Sequence, residues 1–350
     1  MMNRAHLFRI HKYVGLAMAA LLLVQALTGA LLLYRGPAAR WIDPAGMVGH
    51  GRSAAISAGS VVVRAEGALP SFHVVRLFAP DADQGVWLAE LDNDSGAVRF
   101  ASIDPADGKL LRTGPLWRFP VEAALQLHYR LMAGKAGMTI ILLNALALLT
   151  MAVTGLIYWW PRRGPVSRHL SIRSDMAARL ILRQAHRTLG VVMSALLGFM
   201  AVTGLLLIVP ELIETTSPTL HRTTASPAAI DRGLALAQTA FPQSPLRDIR
   251  IGADRLTVNF HAPERNPRAV HRAVVAIDAP RIIDATRAEN NRALWMTVLP
   301  LHTGNRFGAT GPIVVMIAAL ALLALSFTGP IMWWQARSLR RRSINNRQTA

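Results

Sequence analysis

Four apolar stretches of membrane-crossing length constrain this 350-residue chain more than any other feature. They run roughly from Tyr13 to Tyr34, Gly137 to Trp160, His186 to Val209 and Pro312 to Trp334. About 20 mainly apolar residues suffice to cross a bilayer. The first run exceeds the roughly 7–15 residues of a secretory signal core, and a near copy of it recurs mid-chain, so it is read as a retained span. "HKYVGLAMAALLLVQALTG" covers His11 to Gly29, and "HRTLGVVMSALLGFMAVTG" covers His186 to Gly204.

Charge then sets orientation. The segments before span one, between or at the ends of spans two and three, and after span four hold 15 of the 38 basic residues. They hold one acid, Asp175, of 20. The two long remaining segments balance 23 bases against 19 acids. Short basic loops stay in the cytoplasm, so both termini are expected inside and both long segments outside. Trp159–Trp160 and Trp333–Trp334 fall at cytoplasmic exits, where interfacial aromatic belts sit. The net charge of +18 is thus a topology signal with anionic-lipid contact in second place, and it does not point to nucleic acid.

The chain reads as a tandem duplication, the first thing to look for in any sequence. His11 aligns with His186, Thr28 with Thr203 and Gly29 with Gly204 at an offset of 175. Asp104 with Asp278, His128 with His302, Thr154–Gly155 with Thr328–Gly329, and the two Trp pairs keep an offset of 174. The expected fold class is membrane α-helical: four transmembrane helices as a two-span repeat with a pseudo-two-fold along the membrane normal, carrying two small outer α+β modules. The boundaries are 1–35 for the N-terminus and first span, 36–127 for the first outer module, and 128–160 for an outer His segment and the second span. A cytoplasmic loop follows at 161–185, the third span at 186–210, the second module at 211–300, the second His segment with span four at 301–334, and a basic tail at 335–350. Within the modules, "ISAGSVVVRAEGAL" and "AAIDRGLALAQTAF" have helical spacing, whereas "GVWLAEL", "AVRFASID", "DRLTVNF" and "RAVVAID" read as strands. "DPADGKLL" is a turn signal, and the Pro and Gly of "RGPAARWIDP" and "VPELIETTSP" are expected to stop the preceding helices.

With no cysteine, disulfides, thiolate iron–sulfur ligation and covalent haem attachment are excluded. Only His11, His186, His128 and His302 are matched between the halves. The topology puts the first two at cytoplasmic span entrances and the last two at the outer surface. Two-fold symmetry pairs His11 with His186 and His128 with His302. Each pair of neutral imidazoles could ligate one iron from both sides of a porphyrin, giving two non-covalent b-type haems. Gly29 follows His11 by 18 residues, five turns or about 27 Å along one helix face, and Gly204 stands likewise to His186. These glycines, with Gly155 and Gly329, are expected to leave room for the cofactors. The alternative for the Thr-Gly pairs is ordinary small-residue helix packing. Arg130, Arg187 and Arg306 are candidate propionate partners. Gln25 and Asn144 require hydrogen-bond partners within the spans, with packing the expected role. His50, His73, His221, His261 and His271 are unmatched and read as surface residues, and Trp117 and Trp295 as interfacial anchors. No phosphate loop, dinucleotide fingerprint or catalytic triad is recognisable.

These residues carry a resemblance. "LFRIHKYVGLAMAALLLVQALTG", "LQLHYRLMAGKAG…VTGLIYWWPRR", "RQAHRTLG…VTG" and "LPLHTGNRFG…FTGPIMWWQ", with the turn "IDPADGKLL", resemble the PepSY-associated transmembrane family of iron-regulated bacterial inner-membrane proteins over essentially the whole chain. The resemblance implies periplasmic PepSY-like modules and haem-dependent reduction of a ferric siderophore. The chain ends about 16 residues after span four, so electrons are expected from a separate cytoplasmic reductase or from quinol. "IDAPRIIDA" in the second module lacks the Asp-Gly of the first. Two other readings stand beside it: a haem-free scaffold or regulator whose modules bind a periplasmic protein, and a siderophore or metal permease. The permease is disfavoured by the lack of intramembrane charge.

Overall fold

The computed structural model describes residues 3–49, 56–80, 85–161, 163–213 and 225–348, with side chains to 338. Helix α1 (Arg4–Leu33) leads to α2 (Ala58–Ala68) and strands β1 (His73–Phe78), β2 (Trp87–Asp92), β3 (Val98–Ile103) and β4 (Leu110–Pro115). Short α3 (Pro120–Arg130) and long α4 (Gly134–Trp159) follow. The same order then recurs as α5 (Ala178–Ile213), α6 (Pro227–Ala240), β5 (Leu246–Ile251), β6 (Arg255–His261), β7 (Val270–Ala276), β8 (Ile282–Thr286), α7 (Leu294–His302) and α8 (Thr310–Gln348). The described residues divide into two compact units, one of long helices and one containing all the strands.

In the helical unit, α1, α4, α5 and α8 are each long and apolar enough to cross a membrane. The 30 residues of α1 make a rod of about 45 Å. α1 and α5 each pack against both α4 and α8, so α1 and α5 occupy one diagonal of the bundle and α4 and α8 the other. Leu22, Ala26, Leu197, Ala318 and Leu322 fill the centre, with Leu22 only 2% exposed. Of the two expected stops, the first holds, with α1 ending at Leu33 before "RGPAARWIDP", and the second is overrun. Pro210 lies inside α5, which continues to Ile213, since one proline removes a single i→i−4 bond from a long ladder. After α1 the chain turns directly into a further helix, Arg35–Ile42, with Pro37 in its first turn, where proline is tolerated.

The outer histidine segments are short helices set off from the spans by strained elbows. Between α3 and α4, Leu131, Met132 and Gly134 have φ of 47°, 55° and 54°. Between α7 and α8, Gly304 and Gly308 have φ of 79° and 63°. Such left-handed backbone costs non-glycine residues energy and is kept only where surrounding structure enforces it.

The strand unit is a single antiparallel sheet in the order β4-β3-β2-β1-β5-β6-β7-β8. α2 and α6 contribute Val61, Ala65, Ile230 and Ala237 to the core it shares with Leu77, Ile249 and Phe260. Where two small modules are expected, the strands of both segments join through β1 and β5. Leu77 lies opposite Ile249, Arg76 opposite Arg250 and Phe78 opposite Asp248. Period-2 alternation sends Leu77 and Ile249 into the core and Arg76 and Asp248 to the other face. There Arg76 Nε donates to Asp248 Oδ1 at 3.0 Å, and Asn259 Nδ2 donates to the same oxygen at 3.2 Å. Asp248 is fully buried. Removing one partner of a buried pair leaves the other charge uncompensated, so Asp248→Ala is expected to destabilise the protein by about 3 kcal/mol. A thermal melt followed by circular dichroism checks this; an unchanged midpoint would refute it.

Candidate functional site

All four matched histidines lie in the helical unit. His11 and His186 are on α1 and α5, the helices of one diagonal. His128 and His302 close α3 and α7, which lead through the elbows into α4 and α8. Thr28 and Thr203 follow His11 and His186 by 17 residues each, a rise of about 26 Å. His128 meets Thr28 and His302 meets Thr203, so the two histidine levels stand that far apart along the bundle, against a hydrocarbon core of about 30 Å.

Every one of these imidazoles is held through Nδ1. His128 Nδ1 lies 3.0 Å from Thr28 Oγ1, His302 Nδ1 2.9 Å from Thr203 Oγ1, and His186 Nδ1 2.6 Å from Thr328 Oγ1. His11 Nδ1 lies 3.1 Å from the Met151 carbonyl and 3.5 Å from Thr154 Oγ1. The tautomer follows from counting protons. Each threonine spends its single hydroxyl proton on a carbonyl one turn back: Thr28 on Val24 at 2.6 Å, Thr154 on Thr150 at 2.6 Å, Thr203 on Phe199 at 2.9 Å and Thr328 on Ala324 at 2.8 Å. Only the oxygen lone pair remains for the imidazole, so Nδ1 must carry the hydrogen. For His11 the acceptor is a carbonyl, which has no proton to give. In all four rings Nε2 therefore keeps an open lone pair, the state of a metal-ligating histidine steadied by an outer partner. The recurring threonines of the sequence are these partners, a role the spacing alone did not disclose.

The neighbouring glycines face the same rings. A Cβ on Gly29 would lie 3.0 Å from His128 Cε1, and one on Gly155 3.0 Å from His11 Cε1. Gly204 and Gly329 would place theirs 3.6 and 3.7 Å from His302 and His186 Cε1. The sequence reading gave these glycines a cofactor to clear; the immediate neighbour of each is an imidazole edge.

His128 and His302 face one another with ring centroids 6.5 Å apart and planes tilted by 58°. Two metal–imidazole bonds of about 2.0–2.1 Å plus the distances from Nε2 to each ring centre come to roughly 6 Å, close to the observed ring separation. Burial pushes both rings well below the ordinary imidazole pKa, His128 to about 4 and His302 to about 3. They are neutral near pH 7, the form that ligates. His11 and His186 line a common cavity of about 1640 Å³ with Met151, Gly155 and Gly329. Among the described residues no group of three or more His, Cys, Asp or Glu gathers as a ligand set for a bare ion. A pair of imidazoles with open Nε2 positions supplies two ligands, which suits a group that brings its other ligands better than a bare ion.

The candidate arginines differ. Arg187 lines the His11–His186 cavity and donates to the Ser171 carbonyl at 3.3 Å. Arg130 is paired with Glu211 at 3.2 Å and lies over the Tyr129 ring, a pairing the sequence reading did not name. Arg306 is exposed in a short 3-10 turn, Asn305–Phe307. Asn144 is 2% exposed, and among the described residues neither its Oδ1 nor Gln25 Nε2 has a partner. His271 stacks on Phe241 and bonds Glu264. His73 is near Glu66, and His261 ends β6. His50 and His221 lie outside the described residues. Trp117 is 75% exposed, while Trp295 sits beneath Arg247 in the strand unit.

A family model described as PepSY-associated TM region matches residues 8–336. No curated protein matches the chain.

Proposed function

This chain belongs to the PepSY-associated transmembrane family, and we propose that it is a ferric-chelate reductase of the bacterial cytoplasmic membrane. In this reading both termini are cytoplasmic, the strand unit is periplasmic, and its two α+β segments are PepSY-like modules. Two b-type haems, bound non-covalently at His11–His186 and His128–His302, would supply one-electron transfer from a quinol or a separate reductase to a periplasmic ferric siderophore. The observation that carries the reading is the set of four Nδ1-anchored imidazoles, open at Nε2 and gathered in twos at opposite levels of the bundle.

The chain's own work is to hold and tune. The threonine hydroxyls fix the tautomer and the plane of each ring, and the Nδ1–H bonds raise the donor strength of Nε2. Leu22, Leu197 and Leu322 make the space between the two levels apolar. One electron added to Fe(III) in a hard-oxygen chelate gives Fe(II), which such ligands hold less firmly, so the metal is released.

The test is spectroscopic. The purified protein should be red, with two haem equivalents by pyridine haemochrome, should reduce with dithionite and should reoxidise with a ferric siderophore. A colourless protein would overturn the reading in favour of a scaffold. A haem spectrum that ferric chelates leave unchanged would overturn the substrate assignment.

A further inference from the structure

On the sheet face away from α2 and α6, one buried carboxylate is ringed by guanidinium groups. Arg76 Nε donates to Asp248 Oδ1 at 3.0 Å. Arg247 Nε stands 3.8 Å from Asp248 Oδ2 and Arg250 Nε 3.8 Å from Oδ1, ion-pair separations beyond hydrogen-bond length. Burial holds Arg247 below the usual guanidinium range; Asp248 raises it, and the nearby Arg76, Arg268 and Arg35 lower it again. Against these bases stand Asp248, Glu90 opposite Arg76 in β2, and Glu122, which pairs with Arg35. The balance of the cluster is positive.

Like charges this close repel, yet the guanidinium groups are held in place. Arg76 lies over the Phe78 ring at 4.3 Å and Arg247 over Trp295 at 5.9 Å. Stacking of this kind fixes the guanidinium plane and leaves its edge for hydrogen bonds. The side chains are reachable, with 24% of Arg76, 31% of Arg247 and 60% of Arg250 exposed. An arginine fork matches a carboxylate through paired N–H bonds. The bases are spread over β1, β5 and neighbouring segments, so a ligand with several carboxylates answers more of them than a one-centred anion. Trp295 belongs to α7, the helix that His302 closes.

We propose that this cluster binds a polycarboxylate anion at Arg76, Arg247 and Arg250, and thereby selects negatively charged ferric chelates over cationic ones. The selection of chelates rests on the function proposed above. The anion site stands on the cluster alone, and the two claims fail separately.

The experiment is isothermal titration calorimetry of citrate, and in parallel of inorganic phosphate, with the full-length protein in neutral phosphatidylcholine nanodiscs at fixed ionic strength. Citrate should bind at least about tenfold tighter than phosphate, the worth of one further charge-assisted contact. Arg250→Gln removes no hydrogen bond from Asp248 and should weaken citrate binding about tenfold. Arg247→Lys, which keeps the charge and loses the fork, should weaken it less than Arg247→Gln. Thermal melts confirm that each variant is folded. No citrate binding, equal affinity for phosphate, or an unchanged Arg250→Gln protein would overturn the site. Selection is read separately, by mixing dithionite-reduced protein with subsaturating ferric citrate or with a cationic ferric trihydroxamate. Arg250→Gln should slow reoxidation by ferric citrate about tenfold and leave the trihydroxamate reaction unchanged. Equal slowing of both, or of neither, would overturn the selection while the citrate titration still decides the site. A protein without haem would remove the proposed function and leave the calorimetry intact.

Discussion

Replacing His302 with alanine is expected to remove one of two haem equivalents from the purified protein and leave the other in place. His128 and Thr28 would remain, but a single axial imidazole at 6.5 Å from an emptied partner position no longer clasps a metal from both sides. The His11–His186 level lies about 26 Å away along the helices and shares none of its ring-holding bonds with His302. Haem content by pyridine haemochrome and the low-spin spectrum report the outcome. If both equivalents persist with unchanged spectra, the pairing is wrong. Thr203→Val provides the graded counterpart: the ring stays and its anchor goes. Loss of an outer partner typically weakens metal retention by about 10–100-fold, so haem should be kept at equilibrium yet lost faster to a scavenging apoprotein. A Thr203→Val protein as retentive as the parent would show that the hydroxyl does not tune the ligand.

The second large effect is expected at the elbows. A Cβ at Gly137 would collide with the Arg130 carbonyl, and one at Gly311 with the Gly304 carbonyl. Both obstacles are backbone, which cannot swing aside as a side chain can. Each lies seven residues upstream of its glycine, and each elbow also bends through a glycine of positive φ, Gly134 or Gly308. Gly137→Ala must therefore push α3 away from α4 and carry His128 with it, and Gly311→Ala must shift the turn between His302 and α8. Each is predicted to deplete the haem proposed at His128–His302 while sparing the one proposed at His11–His186. Folding is monitored by size-exclusion profile. A well-folded Gly137→Ala protein with full haem content would show that the elbow does not set the ring's position. Gly134→Ala is expected to be milder, because a Cβ there meets nothing within 4 Å and only the positive φ is strained.

Much of this was written in the sequence, and the parts that were not have physical reasons. The spans are legible because a lipid environment demands unbroken apolar runs, and the histidines because they recur at a fixed offset among residues that have drifted. "GVWLAEL" and "RAVVAID" announce β2 and β7 because their inward positions are apolar. "LRDIRI" does not announce β5, since its outward face serves an ion pair instead of water or core. The elbows escaped notice because "MAGKAG" and "GNRFGATG" read locally as loose glycine-rich joints; only the carbonyls seven residues upstream make them close-fitting. The threonine anchors were hidden for a similar reason. A Thr-Gly pair in a span fits small-residue packing, and nothing within one helix shows that a histidine from another reaches its hydroxyl.

The meeting of β1 and β5 has a bearing on ancestry. About the Leu77–Ile249 pair, Arg76 and Asp248 are equivalent positions, filled with opposite charges that find each other across the seam. Two copies of β1 joined about Leu77 would set arginine beside arginine, where the seam with β5 gives Arg76 the carboxylate of Asp248. The seam is thus keyed by unlike residues at like positions, and exchanging either one for the other would leave two like charges where one ion pair now closes the sheet.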